Sequence, residues 1–292
     1  HHAHFDKAFL ITPENLETTQ ASLQEKWTLY RQLKQNYTEE DLFLRMSKCV
    51  NKMISQDVKY VKTFVDADSI VGLKCIKVAR RIKETFSPLI HIDLAIQPLE
   101  GLDDPQSRDF FVQACGLADV IGGLPDRDKF PEKHIRFIFD LAKSMDKPVD
   151  IHVGQNNLPT EKETELVLNI LEETKIKQKV NLVHCISLNC QSKEYIRRQA
   201  KRMKDLNVSV IVCPSAAISM KQQHYTMAPI HNSIAPVLDL YESGVDVKMG
   251  IDNIADLFMP LVDGDLWFET RLLMEATRCY NFDIISDITT KI

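Results

Sequence analysis

The chain begins His1-His2-Ala3-His4-Phe5-Asp6-Lys7. His2 and His4 are two residues apart, so on an extended strand both imidazoles leave the same side. Two neutral imidazoles converging on one point are the start of a first-row metal site. A remnant of an affinity tag would need no matching ligands further along, and this chain has them. His152, His184 and Asp252 each end an apolar, β-rich run, and Gln97 ends another. Any one of these alone reads better as a buried histidine satisfying a core hydrogen bond, or as an aspartate capping a loop. The metal reading rests on the set.

The elements that position them follow from the apolar periodicity. Strands are predicted over 60–66, 89–97, 118–124, 148–153, 180–184, 208–213 and 245–252. Helices are predicted from Thr38 onward and over 69–85, 107–117, 131–145, 160–174, 192–206, 234–242 and 266–280. Residues 8–37 read as a long loop or irregular helix, and the stretch after Cys213 as a polar loop. Strands that alternate with helices make a parallel sheet. With an eighth strand implied before His1, the pattern is a (β/α)8 TIM-like barrel, in which active-site residues sit at the C-terminal strand ends. No Gly-x-Gly-x-x-Gly or phosphate-loop pattern supports an open nucleotide-binding sheet.

The bulk properties agree with this. The chain has 292 residues with 44% hydrophobic, enough for one large α/β domain spanning 1–292. A formal net charge of -5, with Lys and Arg dispersed, argues against a nucleic-acid partner. There is no membrane-length apolar run. The 7 cysteines, without paired spacing, read as buried thiols of a reduced, cytoplasmic protein. His91 and His134 read as structural; His224 and His231 fall in the loop and helix after the seventh strand, and His224 reads as a solvated loop histidine rather than one lining the pocket mouth. Because residue 1 is already His, the sequence reads as a segment of a longer chain.

These motifs resemble the amidohydrolase superfamily, in the branch of cytosine deaminase and N-isopropylammelide amidohydrolase. His2-x-His4-x-Asp6-Lys7 matches that family's His-x-His-(Leu)-Asp-Lys. The blocks Val65-Asp66-Ala67-Asp68, Ile96-Gln97-Pro98-Leu99-Glu100-Gly101, Ala118-Asp119-Val120-Ile121-Gly122-Gly123, Asp150-Ile151-His152, Val183-His184-Cys185 and Gly250-Ile251-Asp252-Asn253 follow in the family's order. The resemblance implies that His2, His4, His152 and Asp252 ligate one divalent ion, zinc or iron, whose bound water becomes the attacking hydroxide. It implies that Asp252 takes the proton, that His184 steadies the developing charge and that Gln97 binds the ring of a small-molecule substrate. The reaction implied is C–N hydrolysis of a pyrimidine- or triazine-like cyclic amidine or amide. It also implies that the first strand, the closing helix and a β-sandwich lie outside these residues, and it leaves a homo-oligomer open.

Two positions depart from the cytosine deaminase pattern. Gln155 stands where a proton-shuttling Glu is expected, and Phe258 stands where a Trp is expected. An amide cannot shuttle protons, and losing a general acid/base costs about 10²–10⁴-fold. Gln155 therefore keeps a second expectation open: a catalytically impaired barrel that binds a small ligand at its metal site. Phe258 still offers the substrate an apolar wall.

Overall fold

The structure, a computed structural model, describes residues 1–220 and 234–291. His224 and His231 lie outside the described residues. Seven strands form one parallel sheet whose spatial order is the chain order. They are β1 (Tyr60–Asp66), β2 (His91–Gln97), β3 (Val120–Gly123), β4 (Val149–Val153), β5 (Val180–His184), β6 (Ser209–Val212) and β7 (Asp246–Met249). The sheet curls until its two edges meet a common neighbour. Ala3 bridges in parallel both to Thr63 on β1 and to Asp252 beyond β7. Phe64 N donates to Ala3 O at 2.7 Å, and His4 N donates to Asp252 O at 3.0 Å. The His1-to-His4 segment thus sits in the seam where the eighth strand is expected, making a TIM-like barrel wall. Gly250 makes the seam close enough, because a Cβ there would fall 2.6 Å from His2 Cβ.

Helices α1 (Leu23–Lys34) and α2 (Glu39–Ile54) precede β1. α3 (Lys74–Phe86), α4 (Pro105–Leu117), α5 (Pro131–Met145), α6 (Glu163–Thr174) and α7 (Lys193–Asp205) each connect one strand to the next. α8 (Pro214–Ser219) and α9 (Val237–Glu242) lie between β6 and β7, and α10 (Leu266–Thr277) and α11 (Phe282–Thr290) follow β7. Strand side chains alternate between two faces. Leu182, Val210 and Val247 face outward and share the main core with Ile138, Val167 and Ala200 of the helices. Lys62, Asp150 and Asn181 face inward: Asp150 accepts from Lys62 Nζ at 2.5 Å and from Asn181 Nδ2 at 2.6 Å.

The structure corrects the reading of 8–37. Residues 23–34 are a regular helix, α1, opened by a capping box in which Ser22 Oγ accepts from Glu25 N and Glu25 returns a carboxylate to Ser22 N at 2.7 Å. The Ser-x-x-Glu signature was present, but Lys26 and Lys34, both buried, broke the expected apolar stripe. The loop after Cys213 likewise contains the short α8. The last predicted strand ends at Met249; beyond it Gly250 N donates to Val212 O, Ile251 N and Asp252 N donate to His2 O, and Asp252 O accepts from His4 N. Among the described residues, no helix is long and apolar enough to cross a membrane. All seven cysteines are free and buried.

Candidate active site

At the C-terminal strand ends, the sequence-predicted residues come together. His2 Nε2 and His4 Nε2 lie 3.0 Å apart, and Asp252 Oδ1 is 3.3 Å from the first and 3.1 Å from the second. Ligand atoms of His2, His152 and His184 also fall within 4.8 Å of one another. The His152 and His184 ring centroids are 5.5 Å apart. His4, His152, His184, Asp252, Gln97, Gln155 and Phe258 line one cavity of about 430 Å³, with His2 packed just beneath against Phe64.

Each side chain arrives by a local rule, except one. His152 shares the inward face of β4 with Asp150, two residues away. Gln97 shares the inward face of β2 with Ala95, which packs on Phe64. On β5, alternation would send His184 outward with Val180 and Leu182. The backbone instead turns through a positive φ of 77° at His184, followed by 53° at Cys185, and the imidazole enters the cavity. Asp252 also sits at positive φ, 67°. Left-handed backbone at non-glycine residues costs energy and concentrates where geometry is imposed by a site.

The electrostatics suit a cation. Burial pushes His2 down to about 3 and holds His152 and His184 below the usual histidine range, so all three are neutral lone-pair donors. Burial works against ionisation of Asp252, but the imidazoles of His2, His4 and His184 beside it outweigh that and hold the carboxyl well below its ordinary value. His152 Nδ1 donates to Gly123 O at 3.2 Å, which fixes the tautomer and leaves Nε2 buried with no partner. A buried acceptor without a donor is expensive unless something else fills the role. The imidazoles of His2, His4 and His152 with the Asp252 carboxylate are a donor set of the kind that fits a divalent ion.

A buried network of charged groups, whose pairing nothing in the sequence spacing reveals, packs around these residues. Asp6 Oδ2 accepts from Asp66 N at 2.8 Å, and Lys7 Nζ pairs with Asp66 Oδ1 at 2.6 Å. Lys34 reaches from α1 to Asp68 Oδ2 at 2.5 Å and Glu100 Oε1 at 3.1 Å. Burial alone would lower both lysines, but the surrounding carboxylates raise them above the ordinary lysine value and keep them charged. Tyr30 OH donates to Asp256 Oδ2 at 2.5 Å, while Asp256 Oδ1 accepts from Phe258 N and Met259 N, each at 2.9 Å. That carboxylate therefore ties α1 to the loop carrying Phe258. His134 is structural, as expected: its Nδ1 bonds Asp128 at 2.6 Å and its Nε2 accepts from Leu124 N at 3.0 Å. His91 is exposed and bonds Asp93.

This curled parallel sheet, with imidazoles and an aspartate gathered at its C-terminal rim, has known counterparts. No family model matches the chain. It is 34% identical over 240 residues to an uncharacterized protein of Haemophilus influenzae, covering 80% of this chain and 87% of that one. It is 23% identical over 276 residues to N-isopropylammelide isopropyl amidohydrolase of a Pseudomonas species, covering 91% of this chain and 64% of that enzyme's length. Its fold superposes on 5-methylcytosine deaminase from Klebsiella pneumoniae with a TM-score of 0.88, at 22% identity, over 98% of this chain and 71% of the other. The chain shares its fold with these enzymes, and the amidohydrolase superfamily is the one these likenesses support.

Proposed function

We propose that the protein hydrolyses a C–N bond of a cyclic amidine or amide, a pyrimidine- or triazine-like ring, removing ammonia or an amine. One observation carries this reading. Four donors of metal-binding type and His184 converge on the floor of a cavity that also presents the amides of Gln97 and Gln155. Two relatives support it by name, an N-isopropylammelide isopropyl amidohydrolase and a 5-methylcytosine deaminase.

His2, His4, His152 and Asp252 would hold one divalent ion, zinc or iron. When bound, that ion supplies Lewis acidity and makes water nucleophilic near neutral pH. Asp252, ionised and oriented by His2 and His4, accepts the proton released by the attacking water. His184, kept neutral by burial, steadies charge developing at the attacked carbon. Gln97 orients the ring through its amide, and Phe258 closes one side with an apolar face. Gln155 donates or accepts a hydrogen bond but carries no proton across.

That last point favours a second reading, an impaired barrel that binds a ligand without turnover. The deciding experiment is metal analysis of the purified protein with amine-release assays on cytosines, aminotriazines and cyclic amides. Turnover of at least one ring with about one metal per chain supports the hydrolase. A metal-loaded protein that binds rings and turns over none moves the conclusion to the binding barrel.

A further inference from the structure

The cavity has two unlike halves. Its floor is the histidine cluster with Gln97 and Gln155. Along its outer side Leu23, Trp27, Leu99, Leu124 and Phe258 form one hydrophobic cluster, with Ser22, Gln24 and Lys26 beside them. A bare pyrimidine or triazine ring, polar around its whole edge, would pair with the floor and make no use of these apolar side chains.

We propose that the substrate carries an apolar substituent of a few carbons beside its polar ring, and that Trp27 of α1 is the specificity-determining residue that contacts it. The reacting bond in this statement rests on the hydrolytic reading above, whereas the contact with Trp27 does not. The wall is preformed. Trp27 is 7% exposed, and the Arg127 guanidinium stacks on its ring with Cζ 4.4 Å from the centroid. Arg127 Nε donates to Leu99 O at 2.5 Å, which ties Trp27 to the neighbouring wall residue. Three residues along, Tyr30 is latched to Asp256, and its ring packs 4.8 Å from that of Phe258. At the far end of the helix, Lys34 is locked among Asp66, Asp68 and Glu100. α1 therefore presents Trp27 without a conformational search, so an apolar substituent gains burial at little ordering cost.

The test uses the metal-loaded full chain and two rings that lack a leaving amine, 2,4-dioxopyrimidine and its N-propyl derivative, with binding measured by calorimetry. Each buried methylene is worth about fourfold in affinity, so the natural protein should bind the propyl ring at least about tenfold more tightly. Trp27→Ala should reduce that preference to below about threefold, with metal content and affinity for the unsubstituted ring retained. Trp27→Phe should keep most of it. If Trp27→Ala does not fold, Leu124→Ala, on the same wall, should show the same selective loss. Equal affinity of the natural protein for the two rings, a loss shared equally by both in the variants, or no binding of either ring overturns the proposal. A propyl preference that depends on Trp27 in a protein that turns nothing over leaves this inference standing and removes only the hydrolytic reading.

Discussion

Two layers of the same barrel interior handle polar groups in opposite ways. On the inward face of β4, Asp150 is fully committed, with Lys62 on one oxygen and Asn181 on the other. Two residues along the same strand, His152 keeps Nε2 buried and unpartnered, and the Nε2 atoms of His2 and His4 converge on each other and on Asp252. Both layers are buried, so exposure does not separate them. What separates them is satisfaction. The lower layer completes its own hydrogen bonds and holds the barrel together, while the upper layer is held open by its surroundings for something the chain does not supply.

If that contrast is right, damage to the two layers should have different consequences. The largest effect is expected from His2→Ala with His4→Ala. About one divalent ion per chain should be lost, with at least about a thousandfold of turnover, since the ion's charge stabilisation is worth several kcal/mol. A double variant that keeps both metal and activity would refute the assignment of the upper layer. Asp150→Ala should do the reverse. It strands Lys62 in the interior, so denaturant titration should show a loss of about 3–5 kcal/mol. The protein that remains folded should still bind metal, and metal loss in step with intact folding would erase the distinction between layers.

Gln155→Glu sharpens the chemistry of the upper layer. It restores a carboxylate of nearly equal volume beside the ring, and cytosine turnover should rise by at least about tenfold from a low level. Fast cytosine turnover by the unmodified protein would show that another residue, His184 first among them, already moves the proton. A smaller effect concerns acid stability. His2, His152 and His184 are depressed by burial, so below about pH 6.5 the unfolded chain binds more protons than the folded one. These histidines lower the melting temperature of metal-free protein as pH falls from about 7 to about 5, while Glu161 and Glu163, raised by burial, work against that fall. Glu269, pushed up to about 7 by burial, acts in the same sense as these two carboxylates, because its folded form holds a proton that the unfolded form releases. Glu269→Gln should make the acid-side fall steeper, and an unchanged slope would remove Glu269 from the account.

Much of this arrangement was legible before any coordinates. The strands over 60–66 and 180–184 match the structure residue for residue, because period-two alternation between clear breakers is a local signal. Parity along a strand also put the imidazoles of His2 and His4 on one side. The departures came where a residue obeys distant partners. α1 was obscured in part because Lys34 is buried among carboxylates on other elements. The Tyr30–Asp256 latch spans 226 residues of sequence.

The sequence by itself determined the alternating barrel pattern and the list of residues able to bind a cation, since both depend on residue type and short spacing. Only the tertiary structure decided three further matters. It brought Ala3 between β1 and Asp252, turned His184 inward against its strand's alternation, and laid α1 along the outer side of the cavity. Each of these is a contact between elements far apart in the chain, where packing and hydrogen-bond satisfaction override the local preference that a sequence pattern records.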